Sequence, residues 1–161
     1  SRISMELVRQ AVFLRLVLER DVLECLCKAG PTPEQMAELE QSLAAQRAYY
    51  EKQMSAALLE EDTRMHRLFY RYCGRERAWD AYTEINCDML RVRYLQIMTY
   101  SYKSHMVSVH SWENHLTEHR LLLAALRRRD YDALRFAVQQ HIASIEQDGE
   151  HLRTIYPQYF V

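Results

Sequence analysis

Glycine and proline are nearly missing from this chain, with three of each among 161 residues. Strand-rich folds need frequent turns built on both residue types, so a β sandwich, a barrel or a disordered chain is disfavoured. An all-α globule remains. Apolar residues make up 48% of the sequence, and a chain of this length buries roughly 68–70% of its unfolded surface around a single core. Residues 1–161 therefore read as one domain.

Hydrophobic spacing divides the chain into helices. The stripe Leu7, Val12, Leu14, Leu18, Val22 and Leu26 predicts a first helix from about Ser4 to Lys28, stopped by Gly30-Pro31. Thr32-Pro33-Glu34-Gln35 supplies an N-cap, an N1 proline and a capping-box glutamine for the second, whose stripe is Met36, Leu39, Leu43 and Tyr50. A third is predicted over Leu58 to Tyr72, ending at Gly74, and a fourth over Glu76 to Tyr100 with Tyr82, Ile85, Met89, Val92 and Gln96 inward. Ser101 to Ser111 is polar and aperiodic, a loop or a short turn. The fifth helix, Trp112 to Arg128, turns Trp112, His115, His119, Leu122 and Leu126 to one side. Asp130 caps the sixth, which carries Leu134, Val138, His141, Ile145 and Leu152 until Pro157.

Charge and chain chemistry remove several function classes. The 21 basic and 22 acidic residues give a net charge of −1, so no net field draws the segment onto a phosphate backbone or an anionic membrane. The run Arg127-Arg128-Arg129 complements a helix C-terminus rather than forming a nucleic-acid patch. Apolar runs such as Leu121 to Leu126 fall far short of the ~20 residues that span a bilayer, no signal-peptide core is present, and a cytoplasmic location is expected. Cys25, Cys27, Cys73 and Cys87 match no metal or redox spacing and are expected to be buried reduced thiols.

The informative residues are the polar ones that interrupt apolar faces, because a buried charge or imidazole must find a partner. Asp62 and His66 stand four residues apart, which places both on one side of the third helix, the spacing by which a helix offers two ligands to one metal. His119 interrupts the inward stripe of the fifth helix and His141 that of the sixth. Each histidine alone reads more simply as a satisfied core residue, and Asp62 as a cap of the third helix; together they offer one carboxylate and three imidazoles to a common interior. Such a set suits Zn²⁺, Ni²⁺, Co²⁺ or Mn²⁺ and leaves positions open to a carboxylate ligand. His115, one turn before His119, is placed at the rim. Arg93 lies about 40° from the inward Met89, close enough to pair with a carboxylate, while Arg91 reads as a surface ion pair with Asp88.

Two other readings use the same residues. A small helical metalloenzyme would need a general base at the open position, and the one obvious candidate, Glu118, points about 100° away from His119. A metal-free dimerisation module would use the histidines as core. A sensor is preferred to both, and the chain is read as a non-enzyme.

The motifs resemble a known family, the C-terminal FCD effector-binding domain of GntR-type transcription regulators of the FadR subfamily. Ile3-Ser4-Met5-Glu6-Leu7-Val8 resembles the entry to that domain's first helix, and Asp62-Thr63-Arg64-Met65-His66 its D-x-x-x-H, with Met65 where the family usually has an aromatic residue. Gly74 matches its glycine turn, Arg91-Val92-Arg93-Tyr94-Leu95 its R-V-R helix, and Glu118-His119-Arg120 its E-H motif, with His141 following at the family's spacing of 22 residues. The resemblance implies an antiparallel bundle of six to seven helices, with a divalent metal, zinc first and nickel or manganese next, held by Asp62, His66, His119 and His141. It implies a small carboxylate effector, a sugar acid or a hydroxy or dicarboxylic acid, for which Arg93, Arg91, Asn86 and His115 are the candidate contacts. It further implies a homodimer that reaches operator DNA only through an N-terminal winged helix-turn-helix outside these residues, and no membrane partner.

Overall fold

Helix ends fall where the caps put them. In the computed structural model, which describes residues 1–100 and 111–161, Ser4 Oγ accepts from the Leu7 amide to start α1 (Met5–Ala29), and Gly30 ends it at φ 79°. The Thr32/Gln35 capping box opens α2 (Pro33–Glu51) with both bonds made. α3 (Ser55–Tyr72) begins about a turn earlier than the sequence predicts, so Asp62 lies inside the helix and not at its cap. α6 (Trp112–Arg128) stops at Arg129, which takes the left-handed conformation at φ 55° and donates Nε to the Cys27 carbonyl at 3.2 Å. The arginine run thus ends one helix and fastens it to the end of another. Asp130 caps α7 (Tyr131–Ile155), and a 3-10 turn at Pro157–Tyr159 follows. The expected loop from Ser101 lies outside the described residues, apart from Ser111.

The single fourth helix of the sequence reading is two, α4 (Glu76–Thr83) and α5 (Cys87–Tyr100). No glycine or proline marks the break. The Ile85 amide instead reaches back only three residues, to the Tyr82 carbonyl at 3.1 Å, and the next helical bond starts afresh from Leu90 to the Asn86 carbonyl at 2.9 Å. That tightened turn rolls Ile85 out of the predicted inward stripe to 45% exposure while Tyr82 and Met89 stay buried. Leu7, also expected inward, is 51% exposed.

Cross-helix contacts fix the directions. Met5 meets Gly149, and Tyr131 bonds Glu24, so α7 runs against α1; Glu38 meets Tyr72 and Gln46 meets Met65, so α2 runs against α3. Gln96 bonds Asp148 and Thr99 bonds Tyr156, so α5 follows α7. α1, α3 and α6 thus point one way and α2, α5 and α7 the other, around a core that includes Leu23, Leu39, Leu68, Phe69, Leu122 and Ile142. All four cysteines are free, but only Cys27 is buried; Cys25 and Cys87 are exposed, which corrects the expectation for them. No described helix is long and apolar enough to cross a membrane.

α7 packs tightly on α1 and α5 at Gly149. A Cβ there would stand 2.8 Å from Met5 Cε, 3.0 Å from Met5 Sδ and 3.4 Å from Val92 Cγ1. The Met5 tip can swing aside for one methyl, and alanine gains about 1 kcal/mol of helix propensity, so Gly149→Ala is predicted to stay near wild-type stability. Gly149→Val adds branches that reach Val92 and is predicted to lose about 1–3 kcal/mol by overpacking. Urea unfolding of the two variants checks this.

Candidate metal centre

Three imidazoles meet edge to edge at the centre of the bundle. His66 comes from α3, His119 from α6 and His141 from α7, all fully buried. Their Nε2 atoms form a triangle with sides of 3.1, 3.1 and 3.2 Å. The other nitrogen of each ring faces an oxygen from a different side chain: Glu19 on α1 for His66, Gln46 Oε1 on α2 at 2.9 Å for His119, and Glu118 Oε2 on α6 at 2.6 Å for His141.

These outer partners determine where the protons are. A carboxylate only accepts, and Gln46 turns its carbonyl to His119 while its amide nitrogen faces Ser42 and Met65, so every Nδ1 carries the hydrogen and every Nε2 is a bare lone pair. Three lone pairs just over 3 Å apart repel one another and none can donate to the next. A cation between them removes the conflict, and nitrogens about 2.1 Å from one Zn²⁺ stand roughly 3.0–3.4 Å apart. The donor set therefore fits a borderline divalent metal, with each ring oriented by an outer acceptor as ligating histidines are. Asp62 Oδ1 completes the group, 3.2 Å from His119 Nε2 and 3.8 Å from His66 Nε2.

The protonation states agree with ligation. Burial lowers all three imidazoles, His119 to about 4 and His141 well below the ordinary value, which keeps them neutral at pH 7. Burial alone would raise Asp62 and Glu19. The Arg93 guanidinium and the neighbouring imidazoles instead hold Asp62 well below the usual carboxylate range, and His66 and Arg15 bring Glu19 to about 2.

The remaining candidates separate. Arg93 is fully buried, its Nη2 3.0 Å from Asp62 Oδ1 but out of line for a hydrogen bond, and its plane lies over Trp112 at 4.7 Å. All three of its nitrogens lack a hydrogen-bond partner. Arg91, two residues away, faces outward to Asp88 at 3.0 Å and to the backbone of Ser1 and Arg2, so it lies apart from the cluster. Asn86 is buried beside Tyr82, also away from the triad. His115 is not at the rim: it is buried between Glu118 Oε2 and Asp148 Oδ2, each at 3.1 Å, and although burial would lower it, these two bonds raise its pKa.

Sequence reasoning missed Glu19, Gln46 and the buried Arg15. The signal was present, because Arg15 falls seven residues after Val8, Glu19 seven after Val12, and Gln46 seven after Leu39, all on inward arcs.

Two predictions follow from the outer acceptors and the neutral rings. Glu118→Gln removes the carboxylate behind His141 and is predicted to weaken Zn²⁺ affinity about 10–100-fold, measured by competition with a chromophoric chelator. In metal-free protein, unfolded histidines take up protons below their ordinary 6.5 while folded His119 resists down to about 4. Stability is therefore full above pH 6.5 and is lost as pH falls toward 4; urea midpoints across that window check the sign.

The same chain is similar to known regulators. Residues 10–144 match the FCD domain. The HTH-type transcriptional repressor RspR of Escherichia coli (strain K12) and the HTH-type transcriptional regulator YdfH of Shigella flexneri are each 29% identical to it over 153 residues, or 95% of the chain. The chain spans 63% of the length of these relatives. With an all-helical bundle and an FCD match over most of its length, the chain belongs to the FCD domain family.

Proposed function

We propose that this is the effector-sensing domain of a bacterial transcription regulator and that it binds a small carboxylate beside a divalent metal. The observation that carries the reading is Arg93. A fully buried guanidinium whose three nitrogens make no hydrogen bond, with one ion pair to Asp62, is costly to fold unless something absent from the chain accepts from it. Trp112 Nε1, under the same guanidinium, is a fourth buried donor without a partner. Arg93 and Trp112 Nε1 are donors with nothing to accept from them, while the imidazole Nε2 atoms and Asp62 Oδ1 are acceptors that a metal would take, so an oxygen-rich anion is the group that suits the donors. A carboxylate fits, because it can take a bidentate pair from Arg93 while one oxygen fills an open metal position.

Asp62, His66, His119 and His141 would hold the metal, with Zn²⁺ favoured over Ni²⁺ or Mn²⁺ by the nitrogen-rich set. The metal would supply a Lewis-acidic anchor for the acid. Arg93 orients the ligand, Asp62 fixes Arg93, and Glu19, Gln46 and Glu118 hold the rings. A hydrolytic enzyme is less well supported: Glu118, the one candidate base, is engaged by His115 and His141 on the Nδ1 side of the rings. The relatives are helix-turn-helix regulators, so operator DNA is assigned to a part of the parent protein outside these residues, in a cytoplasmic homodimer. Ligand control then works by population shift: an acid that binds one arrangement of α3, α5, α6 and α7 more tightly biases the whole bundle toward it.

Elemental analysis of the purified chain is expected to give one divalent ion per chain, lost in His119→Ala. Arg93→Met is predicted to weaken binding of small carboxylates at least tenfold while retaining the metal, and Arg91→Ala to leave both unchanged. Retention of carboxylate binding in Arg93→Met would remove the anion role, and a metal-free wild type that ignores added Zn²⁺, Ni²⁺ and Mn²⁺ would make the histidines a plain core.

A further inference from the structure

Two of the four free thiols meet at the edge of the α1–α3 seam. These helices run in the same direction, with Glu19 beside His66. Six and seven residues further on, they bring Cys25 and Cys73 together. Cys73, the C-cap of α3, donates its Sγ hydrogen to the Val22 carbonyl at 3.1 Å. A helix carbonyl points toward the C-terminus, and the side chain three residues on leans back over it, which puts the Cys25 sulfur beside that same oxygen. Cys73 also stands in the field of Asp21 and within hydrogen-bond reach of the Cys25 thiol. Asp21, Val22 and Cys25 form one patch of α1, and the Cys73 sulfur lies on it. The two thiols differ in access. Cys25 is exposed and Cys73 half-buried, and burial keeps Cys73 protonated, its pKa pushed up to about 12.

We propose that Cys25 and Cys73 form a peroxide-reactive dithiol that closes to a disulfide between α1 and the end of α3. The exposed Cys25 sulfur takes one oxygen from hydrogen peroxide as the O–O bond breaks, and the rest leaves as water, giving a sulfenic acid. The Cys73 sulfur then attacks the Cys25 sulfur and displaces that oxygen, which departs with the Cys73 proton as a second water. Two thiols are oxidised to one disulfide and one peroxide is reduced to two waters, so no further reactant is needed. A disulfide of this kind in a reducing compartment is transient and reports oxidant rather than serving as a permanent staple. It would fasten α1 to α3 about two turns beyond Glu19 and His66 and so oppose unfolding of the chain. The other thiols are internal controls: Cys27 is buried near Arg129 and Asp130, and Cys87 is exposed on α5.

The test treats the purified chain with an equimolar amount of hydrogen peroxide, blocks remaining thiols with iodoacetamide and digests with trypsin in the absence of reductant. Mass spectrometry is expected to find residues 21–28 joined to residues 72–75, lighter by two hydrogens than the separate peptides, with fragmentation assigning the bond to Cys25 rather than Cys27. Cys73→Ser is expected to stop at a Cys25 sulfenic acid that dimedone traps, and Cys25→Ser, a change at an exposed position, to form no link. The urea midpoint of oxidised wild type is expected to rise and to return with dithiothreitol, while that of Cys25→Ser does neither. Oxidation of Cys25 to the sulfinic acid with Cys73 left as a free thiol would overturn the proposal. So would a link between the Cys25 residues of two chains, a link through Cys27 or Cys87 instead, or survival of both thiols in excess peroxide.

Discussion

The bundle is organised around three nitrogen lone pairs that have to share one small space. An imidazole buried without charge still has a donor and an acceptor to satisfy, and here each ring turns its donor outward to an oxygen on another residue. Those oxygens come from α1, α2 and α6, so satisfying the rings of α3, α6 and α7 ties five of the seven helices to a single point. The acceptors left over converge, and a cation would resolve a conflict that no imidazole of the cluster can. Affinity for such a cation and packing would be the same constraint seen from two sides, because loosening any outer oxygen frees a ring to rotate its lone pair away.

Charge is distributed in shells around that point. Asp62 stands between the triad and Arg93, Glu19 between His66 and Arg15, and Glu118 between His141 and His115. Each of these three acids therefore touches a histidine on one side and a cation or a second imidazole on the other. Breaking one member of such a chain strands its neighbour in a low dielectric, which typically costs about 3–5 kcal/mol. The unmatched groups are consequently conspicuous: among the described residues, Arg93, the Arg15 Nη2, Trp112 Nε1, the Tyr70 hydroxyl and Asp62 Oδ1 are the buried side-chain groups that make no hydrogen bond.

How much of this the sequence disclosed depended on what kind of residue broke the pattern. A histidine on an apolar stripe is conspicuous, and Asp62, His66, His119 and His141 were legible from spacing alone, as was the choice of Arg93 over Arg91 for the inward position. Arg15, Glu19 and Gln46 obey the same periodicity, but long polar side chains are ordinarily read as reaching for water, and only their partners across the bundle show that they do not. His115 was misplaced at the rim because its acceptor Asp148 is 33 residues away. The break between α4 and α5 was hidden for a different reason. It is made by a backbone turn of three-residue bonds at residues without conformational preference for it, so no turn-forming residue marks it, and the apolar spacing runs on through Ile85 regardless.

α5 is where the buried chemistry reaches the surface. Arg93 points inward to Asp62, while two residues before it Arg91 grips the backbone of Ser1 and Arg2, and Asp88 accepts from the Ser4 amide at 2.8 Å. A helix is stiff over two residues, so a ligand that drew Arg93 toward the His cluster would also bear on the anchor of the chain's first residues. Ser4 is also the N-cap of α1, the helix that carries Arg15 and Glu19. A ligand bonded to Arg93 would act on the separation of α5 from α1 from inside, while Asp88 holds it from outside. Its binding energy would then bear on the position of the N-terminal segment whenever its affinity differs between two settings of that gap.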